Sequence, residues 1–220
     1  MDRIRRLDQA AIDAIGIPRL LLMDHAGLAV ACAARKLAGR TPAYLLICCG
    51  SGYNGGDGLC AAWHLAQWGY RPSVVVVGST RALRDEPAVF ARILEAIPVG
   101  LHQLESIPQA RALGARMRRA SVIIDALLGV GLAGPVRPLY AHVIAAINRA
   151  KRPVVAVDVP SGLDADTGRV QGAAVKATLT VTFGLPKRGF FLRDGPAHVG
   201  RLIVEHIGLP RRLLKRFGGR

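Results

Sequence analysis

From Ala43 onward the chain alternates between short, almost uninterrupted aliphatic runs and longer stretches with helical spacing of apolar residues. The aliphatic runs occupy residues 44–49, 73–78, 121–126 and 153–158. Strands without polar alternation are buried on both faces, which predicts a parallel sheet covered by helices. Helical patterns lie between and after them, at 58–68, 85–96, 108–118 and 138–149. After Gly172 the pattern changes: residues 177–183 alternate strictly, and 201–206 read as a final strand. Ahead of Ala43 the chain is helical. Ile4, Leu7, Ala11 and Ile15 make one apolar face, Gly16-Ile17-Pro18 breaks it, and a second helix runs from about 19 to 37. The prediction is an α/β fold, a Rossmann-like three-layer αβα sandwich with a mostly parallel central sheet and N-terminal helices. No internal repeat or low-complexity linker interrupts it, so one domain is expected over 1–220, with its core at about 3–210 and a basic tail at 211–220.

Composition narrows this picture. Hydrophobic residues at 51% against 20% charged exclude a disordered chain. No apolar run is long enough to cross a bilayer, and the N-terminus lacks the apolar core of a signal peptide, so the expectation is a cytoplasmic protein. Cys32, Cys48, Cys49 and Cys60 show no C-x-x-C spacing. Cys48 and Cys49 are strand neighbours that should face opposite ways as buried free thiols in a reducing compartment. The six histidines show no metal-ligand spacing.

The net charge of +15 favours phosphate-bearing ligands, nucleic acid or an acidic partner. Its local concentrations are Arg116-Met117-Arg118-Arg119 and Arg211-Arg212-Leu213-Leu214-Lys215-Arg216. No aromatics interleave with these arginines, as single-strand stacking requires, so at most weak, non-specific nucleic-acid binding is expected.

In an open α/β sheet, ligands sit beyond the carboxyl ends of the strands. That rule selects three loops, each with an acid and several glycines. The first is Gly50-Ser51-Gly52-Tyr53-Asn54-Gly55-Gly56-Asp57-Gly58, between a strand and a helix, where backbone N–H groups can face an anion and glycine admits φ > 0 and close approach of a ligand. Its Gly50-x-Gly52-x-x-Gly55 spacing matches the dinucleotide fingerprint. The ribose-binding acid that should end the next strand is absent, as is a P-loop lysine. The second loop runs from Asp125 to Pro135 and the third from Asp158 to Gly168. Together they predict a polar cleft. Asp164-Ala165-Asp166-Thr167-Gly168 faintly echoes a calcium loop but lacks the later glutamate, and reads as a turn.

These loops, in this order, resemble the NAD(P)H-hydrate epimerase family, the YjeF N-terminal domain, over about residues 3–210. Leu22-Met23-Asp24-His25-Ala26-Gly27 looks like the family's helix motif, Gly50–Gly58 its glycine-asparagine-aspartate loop, and Asp158-Val159-Pro160-Ser161-Gly162 its aspartate-x-proline-serine-glycine loop. Thr182-Phe183-Gly184-Leu185-Pro186-Lys187 matches a strand-end signature. Ser51 replaces a usual proline, and Tyr53 replaces the first of two asparagines. The resemblance implies an isomerase that interconverts the R and S hydrates of NADH and NADPH at C6. A separate dehydratase then restores the cofactor. Many relatives continue into such a dehydratase domain and this sequence does not, so by resemblance a stand-alone epimerase is expected, and a homodimer is the expected assembly.

The resemblance also places functional residues. Substrate contacts carry over onto Tyr53, Asn54, Gly55, Gly56 and Asp57, onto Gly129, Val130, Gly131, Leu132, Ala133, Gly134 and Pro135, and onto Asp158. The glycines of the middle segment would let backbone amides approach the pyrophosphate. One potassium ion per subunit is implied on Asn54, Asp125 and Ser161, an oxygen-only set suited to a hard cation. Loss of hydroxide from C6 gives an iminium, and water returning from the other face completes the inversion. A carboxyl group would protonate the departing hydroxyl and activate the returning water, with Asp158 the first choice and Asp57 the second. Lys187 reads as a solvated lysine or, less simply, a phosphate contact. The alternative from another class is a non-catalytic dimerisation and RNA-binding module of the same fold, which would have no chemical need of Asn54, Asp57, Asp125, Asp158 and Ser161 together.

Overall fold

The computed structural model describes residues 2–132 and 134–218. Seven strands form one parallel sheet in the order β3-β2-β1-β4-β5-β6-β7. They are β1 (Tyr44–Cys49), β2 (Arg71–Val77), β3 (Gly100–Leu104), β4 (Val122–Ala126), β5 (Val154–Val157), β6 (Leu179–Phe183) and β7 (Arg201–Glu205). The helices are α1 (Asp2–Gln9), α2 (Arg19–Ala38), α3 (Tyr53–Gln67), α4 (Asp85–Glu95), α5 (Ile107–Arg119), α6 (Pro138–Ala150), α7 (Gly195–Val199) and α8 (Arg211–Gly218), with a π-helical turn at Ala10–Ala14.

Strand alternation splits the core between two faces. Leu45, Ile47 and Cys49 of β1 pack with Val74, Val76 and Ile124 beneath Val30, Ala34, Leu59, Ala62 and Phe90 of α2, α3 and α4. Leu46 and Cys48 point the other way, to Leu113, Met117, Val143, Ile144 and Ile147 of α5 and α6. The neighbouring cysteines therefore do face opposite layers, and burial pushes both thiols up.

Four expectations need correction. The sequence reading has no strand at 100–104; β3 is a mostly exposed sheet edge, so Gly100-Leu101-His102-Gln103-Leu104 lacks the aliphatic run that marks an interior strand. The helix after β1 begins at Tyr53, not near Gly58. The glycines of that loop are also not in the positive-φ region: Gly50, Gly52, Gly55, Gly56 and Gly58 are absent from the left-handed residues. They allow close packing instead. A Cβ on Gly58 would sit 2.5 Å from Ala126 Cβ and 2.8 Å from Cys49 Sγ, and one on Gly56 would sit 2.6 Å from Met23 Cε. Glycine here seats the start of α3 directly on the sheet.

The basic tail is the fourth correction. Residues 211–218 form α8, whose Leu213, Leu214 and Phe217 are buried with Leu7, Ala11, Leu22 and Leu209.

Candidate functional site

The chain leaves β1 for β2 on one side and reaches β4 on the other, so the carboxyl ends of β1 and β4 form the switch point of the sheet. A cavity of 740 Å³ opens there. The first turn of α3 supplies Tyr53, Asn54 and Asp57, and the β4–α6 connection supplies Gly129, Val130, Gly131, Leu132 and Pro135. The end of β5 supplies Asp158, and the end of β6 supplies Phe183 and Lys187. The N-terminal helices close the remaining side with Asp8, Ile12, Leu22 and Met23.

Asp158 and Lys187 form the charged centre. Lys187 is only 3% exposed and donates to Asp158 Oδ1, to Thr182 Oγ1 at 2.8 Å and to the Phe183 carbonyl at 3.0 Å. Asp158 Oδ1 also accepts from Thr182 Oγ1 at 3.1 Å and Phe183 N–H at 3.2 Å. The buried ammonium and the carboxylate satisfy each other through charge-assisted hydrogen bonds. Lys187 is thus neither solvated nor free to reach a phosphate. Asp158 has φ +62°, a left-handed backbone that aspartate tolerates better than most residues.

Two further carboxyl groups share the cavity. Burial, and then the Asp158 and Asp8 charges, hold Asp57 well above the usual carboxylate range, and Lys187 offsets this only in part. Asp8 is raised from its ordinary 3.8 to about 6 by burial and by Asp158, against the opposing pull of Lys187 and Arg19. Burial and neighbouring negative charge thus favour the neutral acid at Asp57, whereas Asp158 has the Lys187 ammonium as a direct partner. Environments that separate acids in this way assign acid and base roles. Sequence reading missed Asp8, which looked like one polar position on an amphipathic helix. It also missed Arg5, Arg19 and Arg137, three exposed cations that line the cavity mouth. Arg19 lies 5.7 Å over the ring of Tyr53.

The other anticipated residues divide. Gly55 and Gly56 are buried within α3 and do not line the cavity, and Gly134 is also outside its lining. Ala133 lies outside the described residues. Asp125 and Ser161 sit fully buried behind the cavity wall. Ser161 Oγ donates to Asp125 Oδ1 at 2.6 Å, and Ser161 N–H donates to Asp125 Oδ2 at 2.8 Å. Burial raises the Asp125 carboxyl to about 6 despite these bonds, and no ion pair to it forms among the described residues. Asn54 stands across from Gly129, and its Nδ2 is buried without a partner. Turning that amide about its axis would put an acceptor oxygen where the unpaired donor now points.

The sheet order and this acid-lined crevice define a doubly wound α/β protein with its cavity at the switch point. The turn after β1 is glycine-rich, and the ends of β5 and β6 add Asp158 and the buried Lys187 to the crevice. Residues 19–189 match the family described as YjeF-related protein N-terminus, and the chain belongs to that family. The NAD(P)H-hydrate epimerase of Limosilactobacillus fermentum is 42% identical over 206 residues, covering 92% of each chain. That of Rhodopirellula baltica is 34% identical, covering 98% of this chain and 86% of the relative. The Bifunctional NAD(P)H-hydrate repair enzyme Nnr of Coxiella burnetii is 43% identical over 94% of this chain, which spans only 40% of that relative's length. Among solved structures, yeast YNL200c superposes with a TM-score of 0.82 at 25% identity, covering 98% of this chain and 91% of that one.

Proposed function

We propose that this protein is an NAD(P)H-hydrate epimerase, an isomerase that interconverts the R and S hydrates of NADH and NADPH. The observation that carries the reading is one cavity that holds Asp57, whose acid form burial favours, together with Asp158, which is paired with Lys187. Asp57 donates its proton to the C6 hydroxyl, the C6–O bond breaks, and the ring nitrogen lone pair forms the iminium. The released group leaves as water. The carboxylate of Asp158 stabilises the cationic ring, water adds to C6 from the opposite face and gives its surplus proton to solvent, and Asp57 is reprotonated from solvent to complete the cycle. No nucleotide is consumed. Arg5, Arg19 and Arg137 at the mouth suit a diphosphate-bearing substrate, and Leu22, Met23 and Ile12 offer the ring an apolar wall.

The donor set of Asn54, Asp125 and Ser161 fits a potassium ion. All its ligating atoms are oxygens, Asp125 is a buried carboxylate without an ion pair among the described residues, and Asn54 has an amide to satisfy. Such a cation would compensate the Asp125 charge and tie the loops after β1, β4 and β5. The same reading includes a separate NAD(P)H-hydrate dehydratase as functional partner, a homodimer, and at most weak non-specific nucleic-acid binding. The open β7 edge, where Val204 is 37% exposed, is available to a second copy.

Chromatographic resolution of purified R-hydrate over time tests the activity. Equilibration should far outrun the enzyme-free control, and an equal rate would sink the proposal. Asp57→Asn and Asp158→Asn should each slow it by about 10²–10⁴-fold, the scale of lost acid–base catalysis. For the ion, melting temperature should rise more in potassium chloride than in equal tetramethylammonium chloride. Asp125→Ala should abolish the difference. Identical curves for the unaltered protein in both salts would remove the site.

A further inference from the structure

Beyond the cleft, α2 and α3 bring three ligand-type side chains to one point. Asp24 projects from α2, while Cys60 and His64 lie one turn apart on the same face of α3. Asp24 Oδ1 is 3.0 Å from His64 Nε2 and 3.7 Å from Cys60 Sγ, and all three atoms lie within 4.8 Å of one another. This approach depends on Gly27, one turn along α2, where any Cβ would collide with the Cys60 side chain. Cys60 is fully buried, whereas the side chains of His64 and Asp24 are 14% and 34% exposed, so the cluster is closed on the protein side and open on the other.

Tetrahedral zinc with bonds of about 2.0 Å to nitrogen and oxygen and about 2.3 Å to sulfur sets ligand atoms about 3.3–3.5 Å apart. The two hydrogen-bonded separations here, 3.0 and 3.7 Å, bracket that spacing. In the structure as it stands, one carboxylate oxygen accepts from both the thiol and the imidazole. Two protons are thus gathered where one dication would fit. An Asp24–His64 pair would link the helices without any cysteine. The added sulfur makes a mixed sulfur, nitrogen and oxygen set that suits a borderline metal and not magnesium or potassium.

We propose that Asp24, Cys60 and His64 bind one zinc ion, with water in the fourth position. Binding balances in charge and protons. Cys60 gives its thiol proton to solvent, the single proton of His64 moves from Nε2 to Nδ1 so that Nε2 can ligate, and thiolate plus carboxylate neutralise the dication. Burial and the Asp24 charge hold the Cys60 thiol up, so the metal must displace a firmly held proton. The ion clamps α2 to α3 one to two turns behind Asp57, which places it as a staple of the cavity wall. The sequence reading assigned the histidines no role, because two ligands share one helix and the third comes from another.

The test uses the untagged full chain, freed of metal by chelator dialysis and titrated with Co²⁺ as a spectroscopic probe. One equivalent should bind with a thiolate-to-metal charge-transfer band in the near ultraviolet and tetrahedral d–d bands. Zn²⁺ should displace it and raise the melting temperature. Cys60→Ser should lose the charge-transfer band. Because that buried change could unfold the protein, Asp24→Asn and His64→Gln provide the second measurement. Each should weaken binding at least about tenfold while melting cooperatively without metal. Absence of the charge-transfer band in the unaltered protein overturns the proposal. So does binding that survives Asp24→Asn and His64→Gln but is lost in Cys32→Ser, which would place the ion in the groove lined by His25, Cys32 and Glu205.

Discussion

Individual residues set the electrostatics of the cleft, and two of them give clean tests. Lys187 is a buried cation whose charge is met by Asp158. Removing one partner of such a pair strands the other charge and costs about 3–5 kcal/mol. At about 2–4 °C per kcal/mol for a chain this size, Lys187→Met should lower the melting temperature by roughly 10 °C. Adding Asp158→Asn should recover part of the loss, since asparagine keeps the left-handed backbone and carries no charge. Calorimetry of both variants checks this, and a single variant that melts with the parent would show the pair to be energetically idle. Asp8 makes the opposite kind of test. Its folded value of about 6 lies above the ordinary 3.8, so folding takes up a proton between these values. Its stabilising contribution is complete below 3.8 and lost as pH rises through 6. Asp8→Asn should therefore melt a few degrees higher than the parent at about pH 8, with the gain fading towards about pH 4. A gain independent of pH would refute the assigned cause.

At the scale of elements, the first turn of α3 shows what glycine accomplishes here. Gly58 rests on Ala126 and Cys49, and a methyl group there would push α3 off the sheet and carry Asp57 with it. Gly58→Ala should cost about 1–3 kcal/mol and depress epimerisation. Gly52, exposed and with nothing within 4 Å of its would-be Cβ, should accept alanine within about 0.5 kcal/mol. Urea melts of the two variants make the comparison, and equal losses would contradict the packing role. The same element shows where sequence reading succeeds and where it stops. β1, β2, β4 and β5 were legible because burial on both faces leaves an aliphatic run that nothing else produces. The start of α3 was not, because five glycines in nine residues carry poor helix propensity, and tertiary packing overrides it. The acids after β1, β4 and β5 were found because strand ends point to a shared edge. Asp8 lies 150 positions before Asp158 on a helix outside the sheet, and the buried Lys187–Asp158 pair spans 29 residues. No local pattern reports such meetings.

At the scale of the whole molecule, the C-terminal helix decides what the excess of positive charge can do. The sequence alone suggests that deleting residues 211–220 would leave the cleft untouched. Instead, Leu213, Leu214 and Phe217 of α8 pack on Leu7 and Ala11, and α1 places Ile4, Arg5 and Asp8 at the cavity. Truncation strips the outer side of that wall, so it should reduce epimerisation as well as any nucleic-acid binding, and it cannot separate the two. A charge-only variant can. Arg211, Arg212 and Lys215 are exposed, so replacing all three by glutamine leaves the apolar face of α8 in place. That variant should keep the parent's melting temperature and epimerisation rate. Its affinity for single-stranded RNA should fall uniformly across sequences. The slope of log affinity against log salt should shrink by up to about 2, at about 0.7 for each phosphate no longer neutralised. Leu214→Ala should do the reverse, lowering the melting temperature and the epimerisation rate with little change in the salt slope. If the glutamine variant instead lost epimerase activity while folded, these cations would belong to the substrate's path into the cleft. Tight, sequence-selective RNA binding that survived the change would favour the binding-module alternative.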